Sequence, residues 1–121
     1  MFDLTGKTIY ITGGGGFLGQ KHAEAVIEFG ANVIVADINE EAAIEACEKL
    51  GPSATPVYVD INDKQSIEKS IEGFDKIDVL INNAAKDPKI REGFNQSKFE
   101  HMTEEYWNEG LQTTLTGTFL C

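Results

Sequence analysis

Short apolar runs rich in Val and Ile alternate along the chain with segments in which apolar residues recur three and four positions apart. The runs have the length and composition of β-strands and predict strands over residues 7–12, 32–37, 55–60 and 78–82. The segments between them have the period of amphipathic helices and predict helices over residues 17–29, 40–50, 63–73 and from residue 104 onward. This alternation indicates an α/β fold. Right-handed crossovers between parallel strands then give a doubly wound sheet with the strand order 3-2-1-4.

Polar residues mark the predicted starts of the helices. Asn39, Asn62 and Thr103 are expected to cap helix N-termini, with Gln65 at the capping-box position after Asn62. The fourth strand is a continuous apolar run, which is typical of a strand buried on both faces. The helical period also predicts which side chains face the sheet or the core: Leu18, Ala25, Val26, Phe29, Ala43, Ala46, Cys47, Leu50, Ile67, Ile71, Trp107 and Leu111.

A glycine-rich turn joins the first strand to the first helix, and it reads Thr12-Gly13-Gly14-Gly15-Gly16-Phe17-Leu18-Gly19. Glycines let a backbone turn sharply and approach a pyrophosphate closely, and the helix N-terminus beyond them offers free N–H groups. The second strand ends in Asp37, 18 positions after Gly19, where such folds place a carboxylate for the adenosine ribose hydroxyls. A flexible surface turn is the alternative, but all the expected elements occur in order. The sequence therefore predicts a Rossmann-like nucleotide-binding domain over residues 1–121.

The charge balance and the lengths of the apolar runs exclude several classes of protein. Acidic residues outnumber basic ones by 20 to 10, for a formal charge of −10, so we expect no nucleic-acid partner. Because the apolar runs are only strand-sized, we expect neither a membrane span nor a signal peptide. Cys47 and Cys121 have no metal-ligand spacing. We therefore expect no metal site and a reducing, cytoplasmic location.

The long loop after the fourth strand differs in charge from the rest of the chain. Between residues 86 and 98, four basic side chains oppose two acidic ones. A solvated surface loop and a surface that meets an anionic substrate are both compatible with this pattern.

Several motifs together resemble the N-terminal half of the short-chain dehydrogenase/reductase family, and the resemblance extends over essentially the whole chain. Besides the glycine turn and Asp37, the residues that carry it are Leu4-Thr5-Gly6-Lys7-Thr8, Asp60-Ile61, Asn82-Asn83-Ala84-Ala85, Met102-Thr103-Glu104-Glu105-Tyr106-Trp107 and Leu115-Thr116-Gly117-Thr118-Phe119-Leu120.

The resemblance implies a nicotinamide dinucleotide cofactor and a role for each motif. Thr12 and the glycine turn would position the pyrophosphate, Asp37 would bind the ribose hydroxyls, and Asp60 with Ile61 would border the adenine. Asn82 and Ala84 would support the central strand beside the nicotinamide ribose. The expected cofactor-binding set is completed by neighbours within these motifs, namely Phe17, Leu18, Ile38 and Asn83.

The residues around Asp37 also predict which cofactor is preferred. The carboxylate would repel the 2′-phosphate of NADP, Ile38 offers no compensating charge, and residues 13–19 contain no Lys or Arg. We therefore expect NAD to be preferred over NADP.

The chain departs from the family pattern at three places. Phe17 stands where the classical branch has glycine, so the glycine spacing resembles the extended branch, whereas residues 82–85 resemble the classical one. Thr114 replaces the family's helix asparagine, which normally helps to hold a water linked to the catalytic lysine. The family's catalytic serine and its Tyr-x-x-x-Lys pair are expected after residue 121 and are absent from these residues. Tyr10, Tyr58 and Tyr106 have no lysine four residues later, so none of them can stand in. We therefore expect this chain alone to be inactive.

Two functional interpretations follow. The chain is the cofactor-binding half of an oxidoreductase acting on an alcohol or carbonyl, with a sugar or nucleotide sugar as one candidate substrate, or it is a non-catalytic nucleotide-binding module. The apolar last helix has no stop signal and the fourth strand forms a bare apolar edge, so we expect a longer parent protein. We also expect a homo-oligomer that forms through that helix or that edge.

Overall fold

The computed structural model describes residues 2–86 and 99–121, in which strands and helices alternate. The strands are Thr8–Thr12 (β1), Asn32–Asp37 (β2), Ala54–Tyr58 (β3) and Val79–Ile81 (β4). The helices are Phe17–Glu28 (α1), Glu40–Leu50 (α2), Lys64–Ile71 (α3) and Glu104–Leu111 (α4). A 3₁₀ turn at Phe99–His101 precedes α4, which continues as a π-helical segment, Gln112–Gly117, and a last turn, Thr118–Leu120 (α5). The charged loop, for which a solvated surface and a substrate-facing surface are both open, falls largely on residues 87–98, outside the described residues.

The four strands form one parallel sheet with the order β3-β2-β1-β4, which confirms the predicted topology. Tyr10 at the centre of β1 lies opposite Ile34 of β2 and Leu80 of β4. The order reverses between β1 and β4, and the carboxyl ends of the strands at such a point are where open α/β sheets bind ligands.

Alternating side chains of β1 and β2 divide the core between the two faces of the sheet, as a parallel sheet covered on both sides requires. On the face covered by α1 and α2, the buried residues are Ile9, Ile11, Ala23, Ala31, Val33, Val35, Ala43, Ala46 and Cys47. On the face covered by α3, they are Tyr10, Ile34, Ala36, Val59, Ile61 and Ile67, and Leu120 and Cys121 pack against them. The predicted inner face of α2 is confirmed, and burial raises the pKa of the Cys47 thiol to about 11.

Helix α1 presents a different face to the sheet from the one the periodicity predicts. Leu18, Ala25 and Phe29 are exposed, so their predicted contact with the sheet is wrong, whereas Val26 packs against the core as expected. The buried positions of α1 are Gly19 and Ala23. Small residues on that side let the helix approach the sheet closely, which turns the larger apolar side chains toward solvent.

The helix caps agree with the sequence at two of three sites. Asn39 accepts a hydrogen bond from the Ala42 N–H, and Thr103 accepts one from the Tyr106 N–H. The third prediction is wrong, because Asp63 rather than Asn62 caps α3. The side-chain amide of Asn62 instead donates to the Thr113 hydroxyl at 3.4 Å.

Several apolar side chains that were expected inside the fold lie on its surface. Trp107 and Leu111 are exposed, and so is Ile71 of α3. Val79 and Leu80 of β4 are partly exposed because this strand has a partner only on its β1 side. Among residues 2–86 and 99–121, no helix has both the length and the apolar character that a membrane crossing requires.

Candidate functional site

The glycine turn reverses the chain sharply after β1 and is hydrogen-bonded to β2. Gly13 has a positive φ of 63°, a conformation that side-chain-bearing residues rarely adopt. The Gly14 N–H donates to the carbonyl of Ala36 at 3.0 Å, and the Gly16 N–H donates back to the carbonyl of Gly13 at 3.1 Å. The turn is thus a fixed structure, and α1 begins at its end.

Helix α1 packs directly on this turn at Gly19. A β-carbon at position 19 would lie 2.3 Å from the carbonyl oxygen of Gly13 and 2.6 Å from the Cα of Gly14. Gly13 is confined on its other side, since a β-carbon there would lie 2.9 Å from the Cα of Ala84. The turn is therefore wedged between the first turn of α1 and the chain that leaves β4.

The N-terminus of α1 is left without a side-chain cap. Its N-cap residue is Gly16, and no side-chain hydrogen bond is made there. Phe17 and Leu18, the first two helical residues, both expose their side chains. The free N–H groups and the positive end of the helix dipole suit an anionic group such as a phosphate.

Asp37 lies against the glycine turn and is held at both carboxylate oxygens. Its Oδ2 accepts a hydrogen bond from the Gly15 N–H at 3.0 Å, and its Oδ1 accepts one from the Asn39 N–H at 3.0 Å. Each carboxylate oxygen has two lone pairs, so the fixed side chain retains capacity to accept from ligand hydroxyls. Ile38 beside it is exposed.

The tripeptide Asp-Ile-Asn begins at the last residue of β2 and occurs again shortly after β3. The local hydrogen bond is the same in both copies, but the surroundings differ. Asp60 Oδ1 accepts from the Asn62 N–H at 2.9 Å, as Asp37 does from Asn39. Ile61 is buried, however, beneath Gly117 of the π-helical segment, where a β-carbon would come within 2.8 Å of its Cδ1. The Asp60 N–H is bonded to the Ser66 hydroxyl at 2.9 Å, which fixes this loop to α3.

Thr12 and Asn83 tie the ends of β1 and β4 together at the reversal point. The buried Thr12 hydroxyl oxygen accepts from the N–H groups of Asn83 and Ala84 at 3.1 and 3.0 Å, and it lies 3.4 Å from the Ile81 carbonyl, to which it donates. The Asn83 side-chain amide donates to the Thr12 and Gly13 carbonyls at 3.0 and 3.1 Å. Thr12 is thus engaged within the protein, and any effect it has on a ligand passes through the turn. Asn82 is exposed.

Two residues that bear on catalysis, Tyr10 and Thr114, make their hydrogen bonds away from the glycine turn. Tyr10 is buried, its hydroxyl lies 2.7 Å from the Ser70 hydroxyl, and burial raises the pKa of Tyr10. Thr114 is exposed in the π-helical segment, and its carbonyl accepts a hydrogen bond from the Thr118 hydroxyl at 2.8 Å. Tyr10 packs in the cluster that contains Ile61, but its hydroxyl is bonded to Ser70 of α3.

Gln20 lies at the site, although no motif of the sequence pointed to it. The Gln20 side-chain amide donates to the Gly15 carbonyl at 2.7 Å. The sequence does not predict this contact, because a glutamine on a helix surface has no characteristic partner. Gln20 reaches the Gly15 carbonyl only after the glycine turn has folded back over the start of α1.

Comparison with known proteins places the chain among enzymes of one family. A sequence profile described as short chain dehydrogenase matches residues 7–121. The chain is 34% identical over 119 residues to a sorbitol dehydrogenase of Cereibacter sphaeroides, covering 95% of this chain and 44% of that protein. It is 33% identical over 132 residues to an NADP-dependent mannitol dehydrogenase of Alternaria alternata, covering 100% of this chain and 47% of that protein.

A solved structure of a reductase has the same fold as this chain. The fold superposes on 3-ketoacyl-(acyl-carrier-protein) reductase from Brucella melitensis, crystallised in complex with NADH, with a TM-score of 0.83 and 26% identity. The match covers 98% of this chain and 48% of that one. The chain spans about half the length of the curated relatives it matches. With the strand order, the glycine turn and the profile match in agreement, the chain belongs to the short-chain dehydrogenase family.

Proposed function

We propose that this chain is the cofactor-binding part of an NAD-dependent oxidoreductase that acts on an alcohol or carbonyl group. The observation that carries the proposal is the position of Asp37. Its carboxylate ends β2, contacts the Gly15 N–H at 3.0 Å and is fixed by the Asn39 N–H. A carboxylate held beside a glycine turn is suited to accept hydrogen bonds from the two hydroxyls of an adenosine ribose.

The same carboxylate supports a preference for NAD over NADP. A 2′-phosphate would bring negative charge against Asp37, and the neighbouring Ile38 is exposed and uncharged. No Lys or Arg occurs within residues 13–19 to neutralise a phosphate. The relatives use both cofactors, since the mannitol dehydrogenase is NADP-dependent and the reductase was crystallised with NADH. Asp37 is therefore our reason for choosing NAD.

In this proposal, the other residues at the carboxyl ends of the strands bind the remaining parts of the dinucleotide. The uncapped N-terminus of α1 would hold the pyrophosphate, the loop at Asp60 and Ile61 would border the adenine, and Asn82 to Ala84 would lie beside the nicotinamide ribose. When bound, NAD supplies a nicotinamide ring that accepts hydride. In this proposal the described residues bind and orient the cofactor, and none of Tyr10, Tyr58 and Tyr106 is followed by a lysine four positions later.

Two relatives support a proposal for the substrate class. The sorbitol and mannitol dehydrogenases both act on sugar alcohols, and they align with this chain over nearly its whole length. We therefore propose a small polyhydroxylated alcohol, or the corresponding carbonyl compound, as the substrate.

A cytoplasmic location is compatible with the buried free thiol of Cys47.

A second candidate function is nucleotide binding without turnover. The observation behind it is Tyr10, the tyrosine of β1, whose hydroxyl is buried against Ser70 and so is not available to a substrate. Hydride transfer to or from an alcohol carbon requires a proton acceptor or donor at the oxygen. We propose that the 121-residue chain alone gives no reduction of NAD with a panel of secondary alcohols. Turnover above background would reveal a proton-transfer group that we have not identified.

Titration of both cofactors tests the proposed function. NAD and NADP would be titrated calorimetrically into the protein, in the longest form that its gene encodes. We expect saturable binding of NAD and at least tenfold weaker binding of NADP. A tenfold difference in affinity is about the effect of one repulsive charge contact, here between Asp37 and the 2′-phosphate. Equal or tighter binding of NADP would refute the NAD assignment, and no binding of either would refute the cofactor site.

A further inference from the structure

A chain of hydrogen bonds links α1 to the carboxylate at the end of β2. The Gln20 side-chain amide donates to the Gly15 carbonyl at 2.7 Å, and the Gly15 N–H donates to Asp37 Oδ2 at 3.0 Å. Gln20 and Asp37 both lie in partly buried surroundings at these contacts. Gly15 is therefore held on both of its peptide groups by side chains from two different elements.

Gly15 needs such a restraint to aim its N–H group. As a glycine it has access to a wide range of backbone conformations, so its peptide planes rotate easily unless they are bonded. Helix α2 blocks one direction, since a β-carbon at Gly15 would lie 2.9 Å from the carbonyl carbon of Ala42. Gln20 holds the Gly15 carbonyl from the side of α1. The N–H group that fixes Asp37 is thus oriented by packing on one side and by a hydrogen bond on the other.

From this geometry we propose that Gln20 is a positioning residue for the ribose-binding carboxylate, acting on Asp37 through Gly15. The inference rests on the proposed function and adds a residue that no motif of the sequence singled out. Gln20 itself touches no ligand in this proposal. It restrains the peptide that follows Gly15, and through the Gly15 Cα it limits rotation of the preceding peptide, whose N–H holds Asp37. Its loss therefore lets the carboxylate adopt orientations that bind the ribose less well.

The substitution Gln20→Met tests this role, because it keeps the length of the side chain and removes the donor. Loss of one partly buried neutral hydrogen bond corresponds to about a three- to tenfold weakening of NAD binding. A loosened start of α1 would weaken binding as well, so the single variant does not separate the two explanations. The double variant with Asp37→Ala does, since a residue acting through Asp37 has nothing left to position once that carboxylate is gone.

The experiment measures NAD affinity by calorimetry for wild type, Gln20→Met, Asp37→Ala and the double variant, in the longest form of the protein. Gln112→Met serves as the matched control, because Gln112 is exposed at the start of the π-helical segment that follows α4. Thermal unfolding followed by circular dichroism checks that each variant is folded. We expect Gln20→Met to weaken NAD binding about three- to tenfold in the wild-type background and less than about twofold when Asp37 is already replaced.

The outcomes separate the inference from the function on which it rests. If wild type binds NAD and Gln20→Met binds it equally well, or if the loss is the same in both backgrounds, the positioning role is refuted while the cofactor site stands. If folded wild type binds no NAD, the proposed function is refuted and the inference with it. Wild-type affinity in Gln112→Met, together with a loss that depends on Asp37, supports the role of Gln20.

Discussion

The side chain of Asn83, directly after β4, donates one hydrogen bond to the carbonyl of Thr12 at 3.0 Å and a second to the carbonyl of Gly13 at 3.1 Å. The glycine turn is thereby held from the neighbouring strand, at the place where the strand order reverses. A short edge strand such as β4 has little packing of its own to keep its end in register. The Asn83 amide supplies a restraint that the three residues of β4 do not.

We predict that Asn83→Ala lowers the free energy of unfolding by about 1–3 kcal/mol, because two partly buried carbonyls each lose one donor, although the Gly13 carbonyl keeps the Gly16 N–H. Urea unfolding followed by circular dichroism measures the change. Asn82→Ala is the matched control: its side chain is exposed, and we expect a change within about 0.5 kcal/mol. Equal effects of the two substitutions would show that the Asn83 amide contributes nothing specific.

Two glycine-to-alanine substitutions should change stability in opposite directions. Gly19→Ala places a β-carbon 2.3 Å from the carbonyl oxygen of Gly13, so the turn or the helix must shift, and we expect a loss of about 1–3 kcal/mol or more. Gly110 lies within α4 with nothing within 4 Å of its β-carbon position. There alanine should stabilise by about 0.5–1 kcal/mol through its higher helix propensity. Thermal unfolding of both variants is the measurement, and a neutral Gly19→Ala would contradict the close packing of α1 on the turn.

Asp78 fixes the opposite end of β4 and should make stability depend on pH. The Lys76 ammonium at 2.5 Å and the Thr8 N–H at 3.0 Å lower the pKa of the Asp78 carboxyl well below its ordinary value. A carboxyl whose pKa is lowered by folding stabilises the fold above its unfolded pKa of about 3.9, and this contribution is lost as pH falls below that value. We therefore predict that Asp78→Asn destabilises the protein at neutral pH, and that the difference from wild type shrinks below about pH 4.

Urea unfolding of wild type and Asp78→Asn between pH 2.5 and pH 7 tests this, with the exposed Asp75→Asn as control. A difference that stays constant down to the lowest pH would rule out ionisation as its source. The control should show little difference at any pH, since Asp75 forms no ion pair within the described residues.

The C-terminal helical segments, from α4 to α5, expose a row of apolar side chains that should mediate self-association. Trp107, Leu111, Leu115 and Phe119 recur at intervals of four, and Phe119 is 84% exposed. Contiguous apolar patches of this kind are rare on monomers and mark interaction surfaces. We predict that light scattering over a tenfold concentration range shows association that Phe119→Asp weakens. Phe2→Asp is the control, since Phe2 is 82% exposed at the other end of the chain. A wild-type mass that is monomeric and independent of concentration would contradict the prediction.

The sequence predicts most of the fold because the strands and α2 are strongly patterned. Ala43, Ala46 and Cys47 recur with the helical period and lie in the core as expected. The pattern misleads at α1, where hydrophobicity favours Leu18 and Phe29 but Gly19 and Ala23 are buried. Close packing on the turn selects small residues there, and a hydrophobicity pattern does not register a glycine as an inward position.

The cap of α3 and the contacts at the site depend on tertiary structure in the same way. Asn62 and Asp63 are both good cap residues by type. The fold selects Asp63, because the N–H of Asn62 is engaged by Asp60 and its side-chain amide meets Thr113, 51 positions away. The presence of the glycine turn and of Asp37 could be predicted from spacing. The bonds that orient them, from Gln20 and Asn83, could not, because those residues meet the turn only after folding.

The most direct measurement is the NAD affinity of Asp37→Ala against that of wild type, determined by calorimetry on the longest form of the protein. Asp63→Ala is the control, because Asp63 caps α3 and lies outside the proposed cofactor site. If Asp37 binds the ribose hydroxyls, Asp37→Ala should weaken NAD binding by about 1–3 kcal/mol, the value of a charge-assisted hydrogen bond, while Asp63→Ala leaves the affinity of the folded protein near that of wild type. Unchanged NAD affinity in folded Asp37→Ala would contradict the assignment of this carboxylate to the cofactor.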